Sequence, residues 1–174
     1  MLSETMTKAL NDQVNAEMNS AYLYLSMSAF SEVAGFKGAA NWLYVQAREE
    51  TAHAMHMYRY ILDRGAAPVL QTLPAPLAAF ADLKDIFEKV CAHERMVSER
   101  INNIATLAMG ENDHACYQFI MWYVNEQVEE EAGCAELMSK LTMIGNDKGL
   151  LLALDKELAT RIYNNPFPTD VKLN

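Results

Sequence analysis

The sequence predicts an all-α protein: a bundle of four long helices with one long crossover between the second and third, followed by a short fifth helix. Three observations carry this. Apolar residues recur at helical spacing along almost all of the 174 residues, of which 51% are hydrophobic. Only seven Gly and five Pro are present, which leaves the long middle segments free to be helical. One internal segment, 65–82, carries Pro68, Pro74 and Pro76 and lacks the helical period.

In order, the spacing places α1 at 4–33, α2 at 37–64, α3 at 83–109 and α4 at 114–141. Gly35, Gly65, Gly110 and Gly145 mark their ends, as residues tolerant of positive φ. Asp82 and Asp113 are the expected N-caps of α3 and α4. The α1–α2 and α3–α4 connections are a few residues long, so each pair must be an antiparallel hairpin. The segment between α2 and α3 is long enough, at ~55 Å when extended, to run the length of a ~40 Å helix. A fifth helix, α5, is expected over 147–161, after Gly145-Asn146-Asp147. One domain thus spans 1–162, and the tail 163–174, with Pro166 and Pro168, is expected to be irregular.

Composition narrows the function. The net charge of −9 makes a nucleic-acid backbone a poor partner and cations a better one. No run approaches the length of a membrane span, so no membrane partner is expected. The start, Met1-Leu2-Ser3-Glu4, lacks the basic and apolar regions of a signal peptide. Cys91, Cys116 and Cys134 form no CxxC pair. A cytoplasmic protein with buried thiols is the expectation, without a rubredoxin-like iron centre.

The chemistry lies in the seams. In α3, Leu83, Phe87, Val90, Glu94, Val97, Ile101, Ile104 and Ala108 alternate steps of four and three, and Glu94 is the only charged member. The corresponding stripe of α1 is Leu10, Val14, Glu17, Ala21, Tyr24 and Ser28. That of α2 is Ala39, Leu43, Gln46, Glu50, His53, Met57 and Ile61. That of α4 is Ile120, Val124, Gln127, Glu130, Cys134, Met138 and Leu141. Each is interrupted by acidic or polar groups near its middle. Glu94, Gln127 and Glu130 also follow Glu17, Glu50 and His53 at one constant offset of 77 positions. Within each hairpin these residues lie at nearly equal distances from the turn, hence at one level.

Four buried carboxylates cannot meet uncompensated, since each isolated charge costs several kcal/mol even after relaxation. Shared protons or divalent cations are the remedies. A single His among the carboxylates favours cations, because neutral imidazole adds a nitrogen ligand. Oxygen-rich ligation with one nitrogen suits iron or manganese. The residues therefore predict a dinuclear centre. Glu17, Glu50 and His53 bind the first metal. Glu50 bridges to the second, which takes Glu94 and Glu130. Gln127, a poor substitute for a charged ligand, hydrogen-bonds a metal-bound water or oxygen species. The plainer alternative is a buried polar network that only fixes helix register.

Residues 1–160 resemble the bacterial non-haem ferritins. The resemblance rests on Asn15-Ala16-Glu17 with Tyr22 and Tyr24, on Glu49-Glu50-Thr51-Ala52-His53, and on Trp122-Tyr123-Val124-Asn125-Glu126-Gln127-Val128-Glu129-Glu130-Glu131. It implies a ferritin-like bundle and a ferroxidase that oxidises Fe2+ with O2 or H2O2. It further implies a ferric oxyhydroxide mineral stored in a homo-oligomeric shell of 24 subunits. It carries over Glu17, Glu50, His53, Glu94 and Glu130 as di-iron ligands with Gln127 beside them, and a third iron site at Glu49, Glu126, Glu129 and Glu130. Glu131 reads as solvated helix face. Tyr24, in the place of a ferritin tyrosine close to the iron, is a candidate electron donor or a hydrogen-bonded core residue. Trp122 reads as packing.

Bacterioferritins differ at two positions. Where they carry the histidine of a second Glu-x-x-His this chain has Gly133, and where they carry the haem methionine it has Thr51, so no haem is expected. His56 is expected behind the ligands or at the surface, and His93 and His114 fall off the inward stripe. A rubrerythrin-like peroxide reductase of small oligomeric state is the alternative reading, with the missing CxxC pairs against it. The fifth helix is expected at a subunit contact, because four helices already close a core.

Overall fold

A computed structural model describes residues 1–167; the final residues of the expected irregular tail, 168–174, lie outside the described residues. Among the described residues the regular structure is helical throughout: α1 Glu4–Val33, α2 Lys37–Asp63, α3 Leu83–Gly110, α4 His114–Ile144 and α5 Lys148–Leu158. The first three agree with the spacing to within a residue. The α4 ladder continues past Leu141, its last deeply buried residue, until Gly145 at φ 56° returns its N–H to the Leu141 carbonyl. The period of buried residues stops before the hydrogen bonding does. The fifth helix is shorter than expected, closing through turn bonds from Ala159 and Thr160 to Asp155 and Glu157.

The caps follow side-chain chemistry. Asp82 accepts from the Asp85 N–H and Asp113 from the Cys116 N–H, as expected. Ser3 does the same for α1 through the Met6 N–H at 2.9 Å. One expectation fails: Gly110 is the last residue of α3, and the residue with positive φ in the α3–α4 turn is Asn112, at 56°. Asn tolerates the left-handed region better than other side chains do, so the turn needs no glycine.

The chain forms two compact units. The first, Met1–Phe80 with residues from Lys148 onward, holds the α1–α2 hairpin and α5. The long irregular segment runs back along α1. Val69 N–H donates to Asn11 Oδ1, Gln71 N–H to Asn15 Oδ1 and Ser26 Oγ to the Leu77 carbonyl, and the Phe80 ring packs edge-on against Phe30 at 5.3 Å. Side-chain amides of α1 thus satisfy a backbone that has no ladder of its own. The fifth helix seats on the start of α2, burying Leu154 and Leu158. Asp155 Oδ1 accepts the Ala39 N–H at 2.9 Å. Gly38 lets the backbones touch there, since a Cβ would fall 1.6 Å from the Asp155 carbonyl oxygen. The expected subunit contact of α5 therefore has only its outward face, with Leu150 and Leu152 exposed.

The second unit, Ala81–Asp147, is the α3–α4 hairpin. Every residue of the α3 stripe is buried. In α4 the buried set is Cys116, Ile120, Tyr123, Gln127, Cys134, Leu137 and Leu141, so Val124, Glu130 and Met138 are only partly covered. The inward face of α4 is rotated slightly from the stripe read in the sequence. That stripe gave the polar residues the seam and left Tyr123 and Leu137 outside it.

Candidate metal centre

Within the first unit Glu17 comes from α1, and Glu50 and His53 come from α2. They are 1%, 3% and 2% exposed. Each can offer one ligand atom such that all three atoms lie within 4.8 Å of one another. The antiparallel hairpin brings the levels together, and the three-residue spacing of Glu50 and His53 puts both on one face. His53 Nδ1 lies 3.6 Å from Glu50 Oε2.

Two glutamines orient the carboxylates. Gln13 Nε2 donates to Glu17 Oε1 at 2.8 Å, and Gln46 Nε2 donates to Glu50 Oε1 at 3.2 Å. Each sits one turn before the carboxylate it holds. Gln46 was visible as a polar break in the α2 stripe; Gln13 lies off the α1 stripe, and the four-residue Gln-to-Glu spacing is the signal that could have found it.

Burial pushes the Glu17 carboxyl up to about 8. The Glu50 carboxylate beside it adds to this, against lowering by His53 and Gln13. A carboxyl held this high keeps its proton at neutral pH when no cation is bound. Glu17 Oε2 is buried without a hydrogen-bond partner. A divalent cation would replace the proton that burial holds on Glu17 and give that oxygen a partner. Two carboxylates and an imidazole form the oxygen-rich donor set, with one nitrogen, that suits iron.

The second unit carries the other candidates. Glu94 is 1% exposed and Gln127 8%, whereas Glu130 is partly covered. Gln127 Nε2 lies 3.2 Å from Glu94 Oε2, 3.2 Å from the Glu94 carbonyl oxygen and 3.3 Å from Ser98 Oγ. Its amide therefore reaches the Glu94 carboxylate itself. Ser98 Oγ donates in turn to Glu131, which is exposed as expected but also ties α4 to α3. Sequence reasoning missed Ser98, a small hydroxyl residue one turn after Glu94 on the buried face of α3.

Of the residues expected at a third iron, Glu126 is partly covered, Glu129 is exposed and Glu49 is ion-paired with Arg161. Arg161 also lies over the Trp42 ring, 4.3 Å from its centroid, and its carbonyl accepts from Asn41 at 2.9 Å. Its link to Glu49 spans 112 positions, and no spacing rule points to it.

Tyr24 is fully buried in α1. Trp122 packs edge-on against Tyr123 with ring centroids 4.9 Å apart. His56 is half-buried and stacks on Phe167 at 3.8 Å. Burial, with a smaller effect of His53, lowers its imidazole to about 4. His93 is partly covered and His114 exposed, both off the buried stripe. Among the described residues no helix is long and apolar enough to cross a membrane.

The ferritin-like domain family matches residues 7–144. A probable bacterial non-heme ferritin-like protein of Haemophilus influenzae is 39% identical over 91% of this chain and 96% of its own length. A bacterial non-heme ferritin of Staphylococcus epidermidis is 38% identical over 94% of this chain and 99% of its own. Among solved structures, the open-pore ferritin of the hyperthermophilic archaeon Archaeoglobus fulgidus is 46% identical, with a TM-score of 0.91 over 92% of this chain and 98% of that one. The fold is accordingly all-α, a four-helix bundle with a short C-terminal helix. By family, sequence and structure, this chain belongs to the ferritins.

Proposed function

We propose that this chain is a cytoplasmic iron-storage ferroxidase that binds Fe2+ as substrate at Glu17, Glu50 and His53 and oxidises it with O2 or H2O2. The observation that carries the reading is the buried cluster of two carboxylates and one imidazole, its ligand atoms within 4.8 Å of one another. Glu94 and Glu130 supply carboxylates for a second Fe2+. Two Fe2+ then give two electrons to O2, which takes two protons and leaves as H2O2; with H2O2 as oxidant the product is water. The Fe3+ passes to a ferric oxyhydroxide mineral within a shell of 24 copies. Residues Glu49, Glu126, Glu129 and Glu130 hold a third iron.

Each residue has a task that follows from its surroundings. Gln13 and Gln46 fix the direction of Glu17 and Glu50, and Gln127 fixes Glu94. Burial makes every charge near the site count for more than it would in water. Tyr24 is the redox-capable side chain of the Glu17 stripe and supplies the second electron when only one Fe2+ meets the oxidant. The relatives are ferritins over nearly their whole lengths, which leaves a rubrerythrin-like peroxide reductase without support.

Stopped-flow absorbance after mixing iron-free protein with Fe2+ and O2 tests the reading. The wild type should show fast formation of Fe3+. Glu17→Ala and Glu94→Ala should each slow it by roughly tenfold or more, as expected when a ligand rather than its supporting partner is lost. Unchanged rates in both variants would refute the assignment. Size-exclusion chromatography should give a shell; a dimer would refute storage.

A further inference from the structure

We propose that Ser98 is a positioning residue for Glu94: by giving its proton to Glu131, it holds the Gln127 amide against the Glu94 carboxylate. Two side chains from each helix of the α3–α4 hairpin take part, and each pair is one turn apart: Glu94 and Ser98 on α3, Gln127 and Glu131 on α4. Ser98 Oγ donates to Glu131 Oε1. Gln127 Nε2 lies within hydrogen-bond reach of Ser98 Oγ, the Glu94 carbonyl oxygen and Glu94 Oε2. Ser98 and Gln127 are buried, and Glu131 is exposed. An exposed carboxylate is thereby joined to a buried one through two neutral side chains. The order of these bonds stands by itself; its effect on a bound metal rests on the iron reading of Glu94.

Counting protons fixes the direction. A serine hydroxyl has one proton and two lone pairs. Inside a helix it commonly donates to the carbonyl four residues back. Ser20, Ser31, Thr51, Thr106 and Thr142 all do so in this chain. For Ser98 that carbonyl belongs to Glu94, yet its hydroxyl turns to Glu131 instead. A carboxylate is the stronger acceptor, so Glu131 draws the proton across the hairpin. The Ser98 lone pair and the Glu94 carbonyl are then both open, and with the Glu94 carboxylate they present three oxygens that offer no proton. Only the nitrogen end of the Gln127 amide fits among them. Without Glu131 the Ser98 hydroxyl returns to the Glu94 carbonyl and competes with Gln127 for it. Without the hydroxyl the amide loses an acceptor outright. Either change lets Gln127 turn away from Glu94.

A comparison within the chain shows why Glu94 needs this help. Glu17 and Glu50 are each held by a glutamine one turn earlier on their own helix, Gln13 and Gln46. One turn before Glu94 stands Val90, which has nothing to donate. Its amide therefore comes from the facing helix, and a cross-helix amide needs an anchor of its own. Ser98 and Glu131 supply it. A partner that fixes the direction of a ligand carboxylate is worth ~10- to 100-fold in metal affinity.

Crystal structures of the metal-free protein and Zn2+ calorimetry, with each ion placed by its anomalous peak, test the proposal. The proteins are the wild type, Ser98→Ala, Ser98→Thr, Glu131→Ala and the double alanine variant. Without metal, Gln127 should leave Glu94 in both single alanine variants and stay on it in Ser98→Thr, which keeps the hydroxyl. With Zn2+, the ion at Glu94 should bind ~10-fold more weakly in each alanine variant, and as in the wild type in Ser98→Thr. The ion at Glu17 and His53 should bind equally well throughout. The double variant should be no weaker than either single one, because both remove the same anchor. Losses that multiply would mean that Glu131 acts by its charge alone, and would overturn the proposal. So would an unmoved Gln127 in both alanine variants, whatever the metal does. A displaced Gln127 in the variants, with no Zn2+ at Glu94 in the wild type, would confirm the anchor and remove Glu94 from the iron reading. Glu131 is exposed, so its variant gives the answer even where the buried Ser98 variants fold poorly.

Discussion

Replacing Glu17 by Gln should flatten the pH dependence of stability of the iron-free protein. The folded-state pKa of Glu17 lies at about 8, against an ordinary value of 4.5. Between those values the folded chain holds a proton on Glu17 that the unfolded chain has lost. Stability therefore falls as pH rises, by ~1.4 kcal/mol per pH unit. The loss begins near the ordinary value, is complete above the raised one, and reaches on the order of 5 kcal/mol at most. Glutamine keeps the size of the side chain. Its oxygen can still accept from Gln13. The variant has no proton to lose there.

Guanidinium unfolding in chelator at several pH values from 5 to 9 measures the difference. The wild type should weaken with rising pH, the variant should weaken far less, and the variant should be the more stable of the two at the alkaline end. A redox-inert dication such as Zn2+ should invert that order, since it needs the carboxylate that Gln lacks. Parallel pH profiles for the two proteins would refute the account of a buried proton on Glu17 that the metal replaces.

Three further outcomes are expected. Gln13→Ala and Gln46→Ala remove the donors that aim Glu17 and Glu50, and should weaken Fe2+ binding by ~10-fold each in anaerobic titration. Arg161→Ala frees Glu49 from its ion pair, and calorimetry should then show tighter binding of the third Fe2+, with the first two unchanged. Gly38→Ala places a methyl where the Asp155 carbonyl oxygen sits, so hydrogen exchange should show α5 losing protection while α3 and α4 keep theirs.

Much of this was legible because helices write their buried face into the sequence. Every residue of the α2 and α3 stripes is buried, including Glu50, His53 and Glu94, because a long hairpin leaves an inward position no other place to go. Helix ends were legible where a cap or a glycine marks them, as at Asp82, Asp113 and Gly145. The α1 stripe drifted by its last turn, where Met27 and Ser31 are buried and Ser28 is only partly covered, its hydroxyl bonded to the Ala40 carbonyl. An ideal helix slips about 20° per heptad against a 3.5 repeat, which is enough to move one side chain aside. In α4 the slip separated Glu130 from the deepest positions.

What stayed hidden depends on tertiary reach. Arg161 finds Glu49, Asp155 caps α2, Phe167 finds His56, and Ser98 finds Glu131 across tens of residues or more. No local period encodes such pairs. They arise when the segment after α5 returns to α2, and when the α3–α4 turn sets the register of its hairpin.

The central claim is that buried carboxylates and an imidazole from separate helices bind iron rather than merely share protons. Anomalous diffraction at the iron edge, on crystals soaked anaerobically in Fe2+, tests it most directly. The account predicts a strong peak within bonding distance of Glu17, Glu50 and His53, and a second at Glu94 and Glu130. Iron found only on the exposed acidic surface, with no peak between Glu17, Glu50 and His53, would contradict it.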